Sequence, residues 1–493
     1  MAPKMDKAIS SKTVMLAVWD GFGARLLLRT GIFSTLKGAG LRLVILCPNP
    51  EEEYFLREFQ DDRVLIERLE VEKCLQRFRD SPPQRFFKGL RTFTLSSEGD
   101  LSSVDALLRL RLIDHNTHPL HRGILRAIIP MLRKSKSLRK GLLGLESSLA
   151  QGNLHTSLFQ KYRPDLLIAT TLGTNPVDAY LLREAKQWGV KTAVVIQNWD
   201  QPDRQGYRGA EPDSVIAWGE AMKEELVKGH DLPNKAVFIG GIPHFDTYSS
   251  NGALPSYKDF CARFGLVTER RILLFGTNPP QSYPYNADIV DILAEAINQE
   301  VLSAPCQLLV RLHPKHFAGR EGPLDSATLK ALLDRYEQIR QKCPYVVYHS
   351  PQVLSTRLDL DLPKSDMLDL AAMIKYANVV ITGFSTLNLE SFICDVPVVN
   401  IAFDGYRKRR LGYERRGPMA RYLYFGWIRR TLALQSCRVA YSRQELIKHV
   451  NHYLENPELD SKGRMSVVSR ECGLQDGHAG ERIGQYLLKV LEP

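Results

Sequence analysis

Gly383-Phe384-Ser385-Thr386, followed one helical turn later by Glu390, is the group of residues best suited to chemistry in this chain. Glycine allows a ligand to approach the backbone closely. The two hydroxyls stand where a helix begins, so its free N–H groups and the positive end of its dipole point at the turn. That is the outline of a phosphate site. Glu390 falls on the same helical face as Thr386, placed to accept hydrogen bonds from ribose hydroxyls. An ordinary N-cap at Ser385 with an exposed Glu390 fits the same residues.

Other polar groups stand where strands end. Asp20-Gly21-Phe22-Gly23 follows the apolar run Val14–Trp19, although the third glycine of a dinucleotide fingerprint is missing. Asn198-Trp199-Asp200-Gln201-Pro202 follows Thr192–Gln197, and Leu312-His313-Pro314-Lys315 follows Gln307–Arg311. The carboxyl edge of a parallel sheet is where α/β proteins form ligand sites. His244 stands in Gly240–Asp246, leading out of the strand Val237–Ile239. His115, His118 and His121 are close in sequence, but Pro119 interrupts a helix that would gather them, and a surface loop is expected rather than a metal site. The eight cysteines are dispersed with no C-x-x-C, which predicts reduced thiols in cores.

The elements that must position these residues alternate. Leading into the first turn, Met367, Leu370, Ala371 and Ile374 share a helical face, and Asn378–Thr382 is a β-branched run suited to burial on both sides. The strand Val14–Trp19, a helix over Ala24–Lys37 and the strand Leu41–Cys47 open the chain. Between Leu69 and Gln160, basic and leucine-rich segments such as Leu101–Ile113 and Ile124–Leu149 predict a helical insertion. Strand–helix alternation resumes at Pro164, pauses at a polar linker over Tyr248–Ser256, and restarts at the strand Arg271–Phe275.

A chain of 493 residues with 44% hydrophobic and 25% charged content implies a globular protein of two or more domains. No apolar run approaches the ~20 residues of a membrane span, and the amino-terminal residues lack a secretory pattern, so a cytoplasmic protein is expected. The net charge of +11 is uneven. Arg85–Lys140 is basic and reads as a solvated face. Tyr406–Arg430 interleaves Tyr422, Tyr424, Phe425 and Trp427 with arginines and reads as an interfacial surface for an anionic membrane, not as a nucleic-acid site.

Three motifs make the chain resemble a GT-B glycosyltransferase. They are QNWDQP with the downstream PDSVIAWGEAMKEEL and IGGIPHFD, the strand end LVRLHP, and DLAAMIKYANVVITGFSTLNLESFICDVPVV. The resemblance covers roughly Pro164 to Val490. It is strongest to the branch of CDP-glycerol glycerophosphotransferases and of cytoplasmic glycosyltransferases that build surface polysaccharides. Family turns often read T-D-Y-S-S where this chain has T-G-F-S-T, and glycerophosphotransferases have a histidine where this chain has Asp200. Both departures favour a nucleotide-sugar donor.

The fold so implied is α/β: two tandem Rossmann-like, doubly wound domains facing across a cleft. Residues 12–250 would form the acceptor domain, with the insertion at about 70–160, and 268–476 the nucleotide-donor domain. Residues 477–493 would form a helix packing back toward the first. The implied activity is metal-independent transfer of a sugar or polyol phosphate to a cell-surface glycan or lipid-linked acceptor, with no cofactor beyond the donor, at the inner face of the cell membrane. Gly383, Phe384, Ser385, Thr386 and Glu390 would hold the donor with Arg311, His313 and Lys315. Asp200 is the first choice for the base, then Asp20 and His244; Trp199 would pack on a sugar ring and Asn198 would orient the base or the acceptor. Two other functions fit the same chain: a non-hydrolysing UDP-sugar 2-epimerase, and a catalytically silent scaffold binding nucleotide or an anionic surface.

Overall fold

The computed structural model describes residues 12–150, 153–249, 254–317, 325–355, 357–407 and 420–492. They form two units. The first holds the described residues up to His244, Phe425–Trp427 and those from His478. The second runs from Phe245 to Tyr424 and from Ile428 to Gly477.

In the first unit β1 (Thr13–Ala17), β2 (Arg42–Cys47), β3 (Val64–Arg68), β4 (Leu166–Ala169), β5 (Lys191–Val195), β6 (Ser214–Ala217) and β7 (Val237–Ile239) form one sheet. The order is β3-β2-β1-β4-β5-β6-β7 and every pairing is parallel. All residues of β1, β4 and β6 are buried, as their near-continuous apolar runs require of strands covered on both faces. The chain lays β2 and β3 on one side of β1, then returns to the other with β4, in register Val14↔Leu166 to Leu16↔Ile168. The winding therefore reverses between β1 and β4.

Six helices among the described residues separate β3 from β4: Val71–Arg79, Pro82–Thr92, Ser102–Ile113, Pro119–Lys134, Lys136–Leu149 and Thr156–Tyr162. Leu90, Phe93, Leu125, Ile129 and Leu132 give them a small core of their own. Arg91 and Arg183 converge on Glu146, at 2.5 and 3.0 Å, so this buried carboxylate is paired.

Two local expectations change here. The histidine loop is shorter than expected, because Pro119 opens a helix instead of breaking one and His118 caps it, accepting from Leu120 N at 3.2 Å. The continuous helical pattern over Ile124–Leu149 is divided at Ser135, whose hydroxyl accepts from Leu138 N and starts a new helix.

The expected helix over Ala24–Lys37 is also interrupted: a π-helical turn, Ala24–Leu28, precedes a separate helix, Gly31–Gly38. The helix Ala479–Leu491 packs on Gly31–Gly38 with backbones nearly touching. A Cβ at Gly480 would lie 2.6 Å from Gly31 N, and one at Gly484 would lie 2.5 Å from Thr35 Cβ.

The second unit's strands are β8 (Arg271–Gly276), β9 (Cys306–Arg311), β10 (Val346–His349), β11 (Val379–Thr382), β12 (Val398–Ile401) and β13 (Arg438–Ala440). They are parallel, in the order β10-β9-β8-β11-β12-β13. Leu273, Phe275, Leu308, Val310, Val379 and Ile381 pack under the helix Asn286–Asn298, which contributes Ile289, Val290 and Leu293. The winding reverses between β8 and β11, paired through Val379↔Leu273 to Ile381↔Phe275.

In the basic and aromatic stretch Tyr406–Arg430, residues 408–419 lie outside the described ones, Tyr406 is 45% exposed, and Tyr422 and Tyr424 are half-buried. Phe425 and Trp427 are buried, and Arg430 pairs with Glu471 at 3.1 Å. The Phe425 and Trp427 rings, used for packing, are not available to a lipid interface. No helix among the described residues is long and apolar enough to cross a membrane.

Candidate functional site

In a doubly wound sheet the loops on either side of the winding reversal diverge, and the crevice they leave is where ligands bind. In the second unit that crevice lies at the carboxyl ends of β8 and β11. Thr382 Oγ1 donates to Gly276 O at 3.1 Å, tying the two strand ends, and lies 3.5 Å from Ser385 Oγ. Gly276 has no room for a Cβ, which would meet Leu387 Cδ2 at 2.3 Å. This close approach sets the start of the helix Leu387–Ile393 against the end of β8. Thr386 occupies the N-cap position and no side chain caps the helix, so the first-turn amides are not taken by a side-chain oxygen. Gly383 and Phe384 are buried, with the Phe384 ring stacked on Tyr422 at 6.3 Å.

The neighbouring loop joins this crevice. Thr277 Oγ1 accepts from His313 N at 2.8 Å, linking the segments that follow β8 and β9. His313 Nδ1 accepts from Lys315 N at 3.1 Å and so caps the turn Pro314–His316. With Nδ1 an acceptor, the ring proton sits on Nε2. Burial, with His316, Lys315 and Arg311 nearby, drives the His313 pKa down to about 3, and the ring is neutral near pH 7. Asn278, next to Thr277, has a buried side-chain amide nitrogen with no hydrogen-bond partner among the described residues.

One expected donor ligand is placed differently. Arg311 is buried, with Nη2 2.6 Å from both oxygens of Asp366 and Nη1 2.6 Å from His349 Nδ1. Its guanidinium anchors β9 and β10 to the helix Lys364–Tyr376 instead of standing free. Glu390 is 6% exposed, and its charge acts on the Cys394 and Cys472 thiols, which burial already pushes up.

In the first unit the reversal lies between β1 and β4, and two carboxylates bind the surrounding loops together. Asp20 accepts from Gly23 N at 2.7 Å and from Gln197 Nε2 at 3.1 Å, joining the segments after β1 and β5. Asp178, in the first turn of the helix Pro176–Gln187, accepts from Thr171 N at 2.8 Å, Trp19 Nε1 at 3.3 Å and Thr170 Oγ1 at 3.5 Å. Its other oxygen is buried without a partner among the described residues. Burial, then the charge of Asp20, outweigh the Thr171 and Trp19 hydrogen bonds and raise the Asp178 pKa to about 7.

His244, also in this unit, is buried with its ring 6.0 Å from Trp218; burial and Arg25 hold its pKa well below the ordinary value. Asn198 O accepts from Gln201 N at 3.2 Å. Trp199 is 2% exposed and meets Trp427 edge to face at 4.6 Å, so its ring is enclosed by protein rather than open to a sugar. Asp200 stands at the start of the helix Gln201–Arg204 and pairs with Arg204 at 3.2 Å. Sequence reasoning did not single out Asp178 or Gln197. The signal for Asp178 was Asn-Pro-x-Asp at a helix start, which reads as ordinary helix initiation.

Among the described residues no three His, Cys, Asp or Glu side chains group as metal ligands. No protein-family model matches the sequence, and no curated protein matches it. Solved structures do resemble this one. MnaA of S. aureus with UDP is 11% identical at a TM-score of 0.52, covering 97% of each chain. The UDP-GlcNAc 2-epimerase of Neisseria meningitidis bound to UDP-GlcNAc is 13% identical at 0.50, covering 97% of this chain and 100% of that one. A provisionally assigned UDP-N-acetylglucosamine 2-epimerase from Listeria monocytogenes is 12% identical at 0.54, covering 98% of this chain and 97% of that one. At such identities the likeness is one of architecture. The chain has the GT-B-like fold, two Rossmann-like parallel-sheet units built on seven and six strands.

Proposed function

We propose that this chain is an enzyme acting on a nucleotide-activated sugar, and that it is a glycosyltransferase serving a surface glycan or lipid-linked acceptor without a metal. The observation that carries the reading is the β8–β11 crevice. There an uncapped helix start, the Ser385 hydroxyl and the neutral, Nε2-protonated His313 supply donors suited to a diphosphate. Lys315, half-buried beside His313, adds positive charge. Glu390 receives the ribose hydroxyls.

In the first unit Asp20 is the base that takes the acceptor's proton, held in one orientation by Gly23 N and Gln197. Asp200, which pairs with Arg204 across one helical turn, is the alternative base. Asp178, fully enclosed, positions the loops around Asp20 and does not touch substrate.

A second reading is favoured by the structural neighbours, several of which are UDP-GlcNAc 2-epimerases. It predicts conversion of UDP-N-acetylglucosamine with no acceptor present. A thermal-shift screen against UDP-, GDP-, CDP- and CMP-linked donors tests the shared claim, since a ligand bound only by the folded chain raises its midpoint. No shift with any donor counts against both readings. Epimerised sugar in acceptor-free reactions selects the second. Calorimetry on Glu390→Ala checks the ribose contact: loss of two hydrogen bonds predicts on the order of 10-fold weaker nucleotide binding, and unchanged affinity removes Glu390 from the site.

A further inference from the structure

The helices Pro82–Thr92 and Lys136–Leu149 of the insertion meet the helix Pro176–Gln187 and the loop that follows β4 around a small cavity. Its lining includes Lys88, Arg91, Glu146, Gly173, Thr174 and Arg183, and its volume is about 10 Å³, room for one water-sized body.

The charges around that space do not balance. Glu146 is the only carboxylate in the lining. Arg91 holds both of its oxygens, Nε donating to Oε2 at 2.5 Å and Nη2 to Oε1 at 3.0 Å, and Arg183 Nη2 lies 3.0 Å from Oε1. These three side chains are buried. Lys88, half-buried, stands with Nζ 5.1 Å from the centre of the Phe78 ring and has no ion-pair partner among the described residues. Arg183 Nε is enclosed without a hydrogen-bond partner among the described residues. Lys88, Arg91 and Arg183 therefore face a single carboxylate, which leaves two positive charges uncompensated at one cavity.

Charge taken out of water is costly unless the opposite sign joins it. The groups themselves register the shortage: burial, then Arg91, lower the Lys88 pKa despite Glu146, and burial lowers that of Arg183. A water would fill the space and bring no charge. A phosphate group is larger than the cavity. A monatomic anion is close to water in size and accepts from donors on every side.

We propose that this cavity binds chloride, held by the Lys88 ammonium and by guanidinium N–H groups of Arg91 and Arg183 that neither Glu146 nor the carbonyls of Tyr207 and Gly209 occupy. The ion ties two insertion helices to the helix that follows β4. The site goes beyond the catalytic reading and does not depend on it.

Thermal unfolding of the full chain at fixed ionic strength, with sodium gluconate replaced stepwise by sodium chloride, tests it. The midpoint should rise with chloride, in proportion to the logarithm of its concentration once the site fills. Lys88→Met removes one of the three cations and should move the onset of that rise to about 10-fold higher chloride. In gluconate the same variant should unfold no lower than the parent, since the charge it removes has no counter-ion there. Lys140→Gln, an exposed change of equal charge, should keep the parent's response. Crystals soaked in sodium bromide and measured at the bromine absorption edge should show an anomalous peak between Lys88 and Arg183. No chloride response in the parent, a response that Lys88→Met leaves intact or that Lys140→Gln weakens equally, or bromide at surface positions as an adventitious ion only overturns the proposal. So does a rise produced by sodium phosphate and not by chloride, because the cavity would then open for an oxyanion. Should Lys88→Met fail to fold, the bromide peak and the parent's chloride response decide.

Discussion

Asp178→Asn separates the cost of an enclosed carboxylate from the worth of its hydrogen bonds. Three donors, Thr171 N, Trp19 Nε1 and Thr170 Oγ1, favour the charged form, as does the helix start on which Asp178 sits. Full burial and Asp20 oppose it and win, moving the pKa from 3.8 to about 7. A carboxyl with a raised pKa holds its proton in the folded chain while the unfolded chain has released it. The unfolded state therefore binds fewer protons between about pH 4 and 7, and wild-type stability falls across that window. At about 1.4 kcal/mol per pH unit the accumulated cost is about 4 kcal/mol above pH 7, and it is absent at pH 4. Asparagine can accept the same three hydrogen bonds and carries no charge. Urea unfolding from pH 4.5 to 8, followed by tryptophan fluorescence, should show the variant gaining on wild type as pH rises, by up to about 4 kcal/mol at pH 8. Parallel curves, or a variant that loses ground as pH rises, would refute the reasoning, since either means that the donors outweigh burial and Asp178 is charged throughout.

Arg311→Ala should destabilise the second unit by roughly 3–5 kcal/mol, because it strands the Asp366 carboxylate in a buried site; the double change Arg311→Met, Asp366→Leu should recover most of the loss in urea midpoints. For His313, replacement by asparagine keeps an acceptor for Lys315 N, whereas alanine should cost about 1 kcal/mol of cap stability. Because its folded pKa lies near 3, His313 makes wild type less stable as pH falls below 6.5. The asparagine variant should be spared that loss, and unfolding at pH 4.5 and 7 shows it. Gly480→Ala drives a methyl into the Gly31 backbone and should cost about 1–3 kcal/mol; an unchanged thermal midpoint would mean that the helix pair can separate without penalty.

What was legible in the sequence followed from local pattern. The β-branched run before Gly383 had to be a buried strand, and the strand–helix alternation on both sides of the linker had to build parallel sheets, whose reversals then located both crevices. What was not legible depends on residues far apart in the chain. Arg311 looked like a phosphate ligand because nothing near it in sequence competes for its guanidinium; Asp366, 55 positions later, takes it. Trp199 and the Phe425–Trp427 segment each read as exposed recognition surface, yet Trp199 and Trp427 cover one another. Asp178 owes its perturbed acidity to enclosure and to Asp20, neither of which helical spacing encodes. The break at Ser135 was visible only as one serine between lysines, where capping geometry outweighed helical periodicity.

The helix Ala479–Leu491 belongs with strands laid down hundreds of residues earlier, its glycines set against Gly31 and Thr35. On the ribosome, the amino-terminal sheet therefore emerges long before the piece that covers Gly31–Gly38. It must wait through synthesis of the entire other unit with that apolar face open to water. Nascent chains stalled before residue 479 should bind holdase chaperones, and those extended past Leu491 should release them.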